Sequence, residues 1–104
     1  MGVRELQLTS PLVSVEFEVF GYFEGAYFKR YCKEECNKLG VGGWVKTSAR
    51  GTIIGKLEGP RTRVDQMISW LSYCGSPGSQ IDQCRLYNHE YLRRPEFRSF
   101  SIRF

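Results

Sequence analysis

Near its start the chain carries a seven-residue segment in which apolar and polar side chains alternate without a break. The apolar residues are Val13, Val15, Phe17 and Val19, and the polar residues between them are Ser14, Glu16 and Glu18. A period of two is the pattern of a β-strand that has one face in a hydrophobic core. The segment therefore predicts a half-buried strand, and the fold must supply a second layer to cover its apolar face.

Helical spacing of apolar residues follows this strand and recurs later in the chain. The first predicted helix ends at Gly40 and has an apolar face of Phe28, Cys32, Cys36 and Leu39. The second predicted helix has a cap-like start at Thr62 and Asp65 and is closed by Gly75 and Pro77. Its apolar face consists of Val64, Met67, Ile68 and Leu71.

Further strands are predicted between and after the helices. Segments 43–49 and 52–59 form a hairpin about the Arg50-Gly51 turn, in which Arg50 is expected to be solvated and Trp44 to pack in the core. A fourth strand is predicted over residues 81–91. A short last strand sets Phe100, Ile102 and Phe104 on one face.

The order of elements is strand, helix, strand, strand, helix, strand, with an extra short strand. It predicts an α+β, ferredoxin-like (split βαβ) sandwich, in which an antiparallel sheet of four to five strands carries two helices on one face. We expect residues 1–11 to be a flexible N-terminal extension. Residues 12–104 are expected to form one domain, since a chain of 104 residues is long enough to bury a core.

Charge and cysteine content limit the classes of partner. The net charge is +4 with scattered cations, which favours a small anionic ligand and not nucleic acid. No apolar run reaches membrane-spanning length and the N-terminus lacks an apolar signal core, so we expect a cytoplasmic protein without membrane contact. The four cysteines show no zinc-ligand spacing, so reduced thiols and no metal site are expected.

Residues 20–30 read FGYFEGAYFKR and place a glycine-framed turn before a basic helix start. Backbone N–H groups in such a turn, at a helix N-terminus, can form an anion-binding site. Lys29, at the start of the helix, either contacts the anion or is a solvated lysine. The sequence therefore indicates a candidate phosphate loop between Gly21 and Lys29.

Three segments together carry a family resemblance: FGYFEGAYFKRY, KLGVGGWVKTSARGTIIGKLEGP and GSPGSQID. In their order and spacing the chain resembles the acylphosphatase family from about residue 13 to residue 104. The resemblance implies a monomer that hydrolyses the carboxyl-phosphate bond of small acyl phosphates without metal or organic cofactor. Its expected ligands are a small-molecule acyl phosphate and inorganic phosphate.

The resemblance also implies site residues, by position. In the family a loop of the form Gly-x-Val-Gln-Gly-Val-x-Phe-Arg wraps the phosphate, and an asparagine in Gly-Trp-Val-x-Asn positions the attacking water. The corresponding phosphate-binding loop here is Gly21, Tyr22, Phe23, Glu24, Gly25, Ala26, Tyr27 and Phe28. The catalytic arginine and asparagine positions are occupied by Lys29 and Thr47, and the loop glutamine by Glu24.

These substitutions predict strongly reduced activity. Lysine lacks the planar fork that grips two phosphate oxygens, and threonine offers one hydroxyl where an amide can hold water and substrate together. Arg30 lies about 100° further around the helix and is not expected to replace Lys29. Two functions remain open at this point: a slow acylphosphatase, and a catalytically silent family member that acts as an anion-binding or regulatory module.

Overall fold

The protein is described by a computed structural model that covers residues 10–104; residues 1–9 of the predicted extension lie outside this range. The described elements are β1 (Leu12–Tyr22), α1 (Phe28–Leu39), β2 (Gly42–Thr47), β3 (Ile53–Pro60), α2 (Arg61–Ser69), β4 (Gln80–Leu92) and β5 (Phe100–Ile102). A π-helical turn, Trp70–Cys74, continues α2. The predicted order of strands and helices is confirmed.

The strands form one sheet in the order β4-β1-β3-β2-β5. β1 pairs antiparallel with β3 and β4, and β2 pairs antiparallel with β3. The short β5 pairs parallel with β2, which makes the five-stranded sheet mixed. Both helices pack on the same face, so the ferredoxin-like α+β fold is confirmed.

The core lies between this face of the sheet and the two helices. It contains the alternating apolar residues of β1 together with the apolar faces of α1 and α2, among them Phe28, Cys32, Cys36, Val64 and Met67. The polar side of β1 is also partly covered, because Ser14 and Glu18 are 0% and 5% exposed. β1 is more buried than the predicted half-buried strand because it lies between β3 and β4.

Two local predictions are wrong. α2 begins at Arg61 with Pro60 as its N-cap and no side-chain cap, so Thr62 and Asp65 do not cap it. The Arg61 N–H instead donates to the carbonyl of Pro11 at 2.8 Å, which ties the start of β1 to this helix. Trp44 lies opposite Lys56 on the helix-free face of the sheet, outside the core, with the Arg103 guanidinium 4.7 Å from its ring centroid.

One buried carboxylate fixes the connection between β4 and β5. Glu58, in β3, is 2% exposed. Its Oε1 accepts hydrogen bonds from the backbone N–H groups of Glu96 and Phe97 at 2.7 and 2.8 Å. This anchors the connection immediately before β5, whose far end reaches the candidate site described next.

Candidate functional site

The candidate loop joins the end of β1 to the start of α1 through a tight turn. Ala26 N–H donates to Phe23 O at 3.0 Å, and Gly25 and Tyr27 adopt left-handed conformations with φ of 72° and 51°. Tyr27 is the N-cap of α1 and provides no side-chain cap. Since the first N–H groups of a helix have no intrahelical partner, this end of α1 offers donors and a partial positive charge to an anion.

The two glycines of the loop have different structural roles. Gly25 needs its left-handed conformation, and a Cβ built on it would meet nothing within 4 Å. Gly21 has no positive φ, but a Cβ there would lie 1.9 Å from the carbonyl oxygen of Gln80 in β4. Gly25 therefore permits the turn, and Gly21 permits the close pairing of β1 with β4.

Lys29 and Thr47 line one cavity, although they lie on α1 and at the end of β2. The cavity has a volume of about 320 Å³ and is lined by Phe23, Tyr27, Phe28, Lys29, Arg30, Thr47, Ile53, Ile102 and Phe104. The Lys29 Nζ lies 5.8 Å from the centroid of the Phe104 ring, within the range of a cation–π contact. The fold thus brings together the two residues that the sequence placed in the site.

A second cavity adjoins the first. It has a volume of about 380 Å³ and is lined by Gly21, Tyr22, Phe23, Glu24, Thr47, Gly51 and Ile53. The two cavities share Phe23, Thr47 and Ile53. Glu24 lines only the second, and its Oε1 accepts a hydrogen bond of 3.3 Å from the exposed Tyr22 hydroxyl. The loop carboxylate therefore lines the second cavity and not the one that Lys29 lines.

Arg30 forms an exposed ion pair within α1. Its Nε lies 3.5 Å from Glu34 Oε2, one helical turn further along α1, and 73% of its side chain is exposed. It lines the edge of the same cavity as Lys29. Arg30 therefore pairs with Glu34 at an exposed surface and also reaches the edge of the cavity that Lys29 lines.

A buried carboxylate next to the site was missed by the sequence analysis. Glu18 points to the helix-free face, and its side chain is 6% exposed. The Thr52 hydroxyl donates to Oε2 at 2.5 Å, and Arg50 donates to both carboxylate oxygens at 2.8 Å. The Tyr87 hydroxyl donates to Oε1 at 3.4 Å. Arg50 lies in the hairpin turn as predicted, but it is an ion-pair partner and not merely solvated.

This carboxylate stabilises the turn that follows Thr47. The Ser48 and Thr52 hydroxyls lie 2.6 Å apart, and Ser48 N–H donates to Thr52 O at 2.8 Å. Glu18, through Thr52, is connected to the residue next to Thr47. In the sequence Glu18 stands on the polar side of the alternating strand beside Glu16, so the pattern did not indicate that its carboxylate would be buried and need partners.

The environment of Glu18 changes its acidity. The hydrogen bond from Thr52 lowers the pKa of the Glu18 carboxyl below its ordinary value of 4.5. Burial opposes this shift, and Arg50 assists it. A carboxyl group whose pKa is lower in the folded state than in the unfolded state stabilises the fold at pH values above its unfolded-state pKa. This stabilisation is lost as the pH falls through its folded-state pKa.

We expect Glu18→Gln to destabilise the fold at pH 7, because the Arg50 pair and the charged acceptor are lost. The difference from the parent chain should shrink as the pH falls from 4.5 through the lowered pKa of the folded Glu18 carboxyl. Urea unfolding of both chains at pH 7 and pH 3 measures this. Glu34→Gln, at an exposed surface pair, is the matched control and should change the midpoint little. A Glu18→Gln deficit that is equal at both pH values would contradict the charge argument.

Outside the candidate site, the structure bears on the cysteines, on metal binding and on membrane spans. Cys32 and Cys36 are buried in the core, and their mutual hydrogen bond, with burial, raises the pKa of the Cys32 thiol well above 9.0. Such thiols are poor nucleophiles. Within residues 10–104, no three His, Cys, Asp or Glu side chains cluster as metal ligands. None of the helices in that range is long and apolar enough to span a membrane.

The remaining residues that the sequence analysis missed are apolar. Ile53, Ile102 and Phe104 form walls of the cavity beside Lys29 and Thr47. The alternation of Phe100, Ile102 and Phe104 was detected, but a strand pattern does not specify which neighbour the strand pairs with. The parallel pairing of β5 with β2 is what places Ile102 next to the site.

Comparison with known protein sequences gives one consistent result. The model of the family described as Acylphosphatase matches residues 15–102. The chain is 45% identical over 94 residues to Acylphosphatase-2 of Bos taurus, which covers 90% of this chain and 95% of that protein. It is 44% identical over 99 residues to Acylphosphatase-2 of Homo sapiens, which covers 95% of this chain and all of the relative (100%).

The fold is shared with a solved acylphosphatase. The crystal structure of acylphosphatase from Bacillus subtilis superposes with a TM-score of 0.78 at 25% sequence identity. The match covers 88% of this chain and 99% of the bacterial one. Sequence and structure comparisons thus lead to the same group of proteins.

Proposed function

The chain belongs to the acylphosphatase family, and we propose that it hydrolyses the carboxyl-phosphate bond of small acyl phosphates at a strongly reduced rate. The observation that carries the proposal is that Lys29 and Thr47 line one cavity beside the loop at the start of α1. We place the acylphosphatase-like domain at residues 12–104 and take the protein to be a cytoplasmic monomer. Neither a metal nor an organic cofactor is required by the chemistry that we propose.

In this proposal the loop binds the phosphate group of the substrate. The N–H groups at the start of α1, from Tyr27 onwards, donate to phosphate oxygens, and the helix dipole adds a favourable field. Lys29 supplies the compensating positive charge. Thr47 orients a water molecule for attack on phosphorus, in line with the bond to the leaving carboxylate oxygen. Water adds to phosphorus, the P–O bond to the acyl group breaks, and carboxylate and inorganic phosphate are released.

The rate is reduced by two separate deficits. Loss of one charge-assisted hydrogen bond by Lys29 costs about 1.5–3 kcal/mol, which is roughly 10- to 100-fold in rate. Poorer positioning of water by Thr47 costs on the order of 100-fold. Glu24 accepts a hydrogen bond from Tyr22 and lines the adjoining cavity, not the one that Lys29 and Thr47 share.

The hydrolytic proposal is tested by phosphate release from benzoyl phosphate. Purified chain should release phosphate above the spontaneous rate, with kcat/KM at least about 10²-fold below that of the human relative assayed in parallel. Human Acylphosphatase-2 is a suitable reference because it matches 95% of this chain. Absence of turnover at high enzyme concentration would contradict the proposal.

A catalytically silent anion-binding module is the second candidate, favoured by the replacement of both catalytic positions. It predicts phosphate binding without hydrolysis. Titration with inorganic phosphate should first shift the amide NMR signals of residues 24–28, because these residues form the loop and the start of α1, where the anion is proposed to bind. Sodium chloride at matched ionic strength is the control. If those signals do not move up to tens of millimolar phosphate, neither candidate has its anion site.

A further inference from the structure

A further cavity lies at the end of the sheet away from the candidate site. It has a volume of about 310 Å³, at the lower end of the range for small-molecule pockets. Leu12, at the start of β1, and Pro60, at the end of β3, line it, whereas Ile53, at the other end of β3, lines the candidate site. Since a strand rises about 3.3 Å per residue, the length of β3 separates the two cavities by roughly 20 Å. This cavity is therefore distinct from the candidate site.

Glu58 lines this cavity with a carboxylate that is only half satisfied. The residue is 2% exposed, and its Oε1 accepts the two backbone N–H groups of the connection before β5. Its Oε2 is buried and has no hydrogen-bond partner within residues 10–104. A buried carboxylate oxygen without a donor is unfavourable, because it has lost its hydration and has gained no hydrogen bond.

The neighbouring strands do not supply the missing donor. In the strand register Glu58 lies between Ser14 of β1 and Gly42 of β2. The Ser14 hydroxyl is buried and is itself without a partner in the described part of the chain, and Gly42 has no side chain. A Cβ on Gly42 would lie 3.1 Å from the Cβ and the carbonyl oxygen of Phe97, so the connection packs directly on this glycine. The donor that Oε2 needs is therefore expected from a molecule that enters the cavity.

The lining specifies two opposite charges for that molecule. Asn37 and Gly40 line the cavity from the C-terminal end of α1, where the helix dipole places a partial negative charge. Together with Glu58, this end favours a cation that carries N–H donors. Arg98 also lines the cavity, and it pairs with no carboxylate of the described residues 10–104. Its planar fork matches a carboxylate.

Apolar side chains complete the lining. They belong to Leu12, Val41, Pro60, Pro95 and Phe97. Such a surface favours an apolar group on the ligand, because burial removes that group from water without leaving a polar atom unpaired. The ligand that the lining matches is small, carries an ammonium and a carboxylate, and has an apolar portion.

We propose that this cavity binds a small zwitterion, an α-amino acid with an apolar side chain. The ammonium group donates to Glu58 Oε2, the carboxylate accepts from Arg98, and the side chain lies against the apolar lining. Arg98 disfavours a simple amine and Glu58 disfavours a simple carboxylate, so tight binding requires both charges on one molecule. The site lies beyond the proposed hydrolysis and does not depend on it.

Three probes with one carbon skeleton test the charge requirement. Free L-leucine carries both charges, L-leucinamide carries only the ammonium, and 4-methylpentanoate carries only the carboxylate. In NMR titrations of the full chain at about pH 6, where both ammonium groups are charged, leucine should shift the amide signals of Gly42, Gly59 and Phe97. Each analogue should bind about 10-fold or more weakly, because it lacks one charge-assisted hydrogen bond. Sodium chloride at the probe concentration is the control.

Two variants assign the charges to residues. Arg98→Gln, at an exposed position, should lower the leucine affinity about 10-fold and should not weaken leucinamide. Glu58→Gln keeps the shape of the side chain and should weaken leucine and leucinamide but not 4-methylpentanoate. Arg94→Gln is the matched control, because Arg94 is exposed in the same connection and does not line the cavity.

The results that would overturn the proposal are specific. They are the absence of leucine-dependent shifts up to tens of millimolar, shifts that sodium chloride reproduces, or equal binding of all three probes. An unchanged leucine affinity in Arg98→Gln would also overturn it. If Glu58→Gln fails to fold, Arg98→Gln and the probe comparison still decide. None of these measurements involves turnover, so their failure is distinguishable from failure of the hydrolytic proposal.

Discussion

Combining Lys29→Arg with Thr47→Asn is expected to raise kcat/KM for benzoyl phosphate by at least about 10²-fold. Arginine restores two parallel hydrogen bonds to phosphate oxygens, and asparagine restores an amide that can accept from water and donate to substrate. Each single change should recover only part of the deficit, because the two residues act on different parts of the transition state. Steady-state phosphate release by all four chains measures the effect.

The fold should tolerate both changes. Thr47 is exposed at the end of β2, and Lys29 lies on the partly exposed side of α1, outside the apolar face of the helix. A matched control makes the same two chemical changes at exposed positions elsewhere, Lys33→Arg and Thr62→Asn. The control should keep the parent rate. A double variant no faster than the parent would show that the family's catalytic groups cannot work in this cavity, and a parent rate comparable with the human relative would show that the two substitutions carry no deficit.

Gly21→Ala is expected to cost about 1–3 kcal/mol of the free energy of unfolding, because overpacking against a backbone atom cannot be relieved by a rotamer change. The added methyl would lie 1.9 Å from Gln80 O, so β1 and β4 must separate locally. Amide signals should therefore shift in both strands around residues 80 and 81. Phosphate affinity should also fall, because the loop begins at this residue.

Gly25→Ala tests the effect of backbone conformation without a steric clash. Its Cβ meets no atom within 4 Å, so only the left-handed conformation at φ 72° is penalised. That strain is about 1–2 kcal/mol and is partly offset by a less flexible unfolded chain. Urea unfolding should show a smaller loss than for Gly21→Ala, and the NMR shifts should remain within the loop. NMR shifts in β4 caused by Gly25→Ala, or no NMR shifts in β4 caused by Gly21→Ala, would contradict the roles given to these two glycines.

The helices and strands were predictable because their signals are local. The alternation from Val13 to Val19 determines β1, and the helical spacing of Phe28, Cys32 and Cys36 determines α1, since burial of one face requires that period. The predicted cap of α2 was wrong because contacts beyond the local sequence determine how this helix begins. Thr62 and Asp65 are common capping residues in sequence, but Pro60 already fixes the backbone before the helix. The carbonyl of Pro11, which precedes β1, accepts the Arg61 N–H.

The candidate site was predictable in its polar residues only. The family resemblance implied Lys29 and Thr47 as site residues, and the fold places both in one cavity. The structural partners of these residues were not predictable. Phe104 and Ile102 reach the cavity because β5 pairs with β2, and Glu18 supports the turn after Thr47 through Thr52, which is 34 residues away in sequence.

The sequence by itself determined the order of elements and the glycine-framed loop, because each depends on residue type and short-range spacing. That Lys29 and Thr47 stand at the family's catalytic positions is what the family resemblance implies. Only the tertiary structure decided that Glu18 is a buried ion-pair partner, that Trp44 lies outside the core, and that an apolar cavity adjoins Lys29. These features depend on which strands become neighbours and in what register, and such pairings join residues that are far apart in the chain.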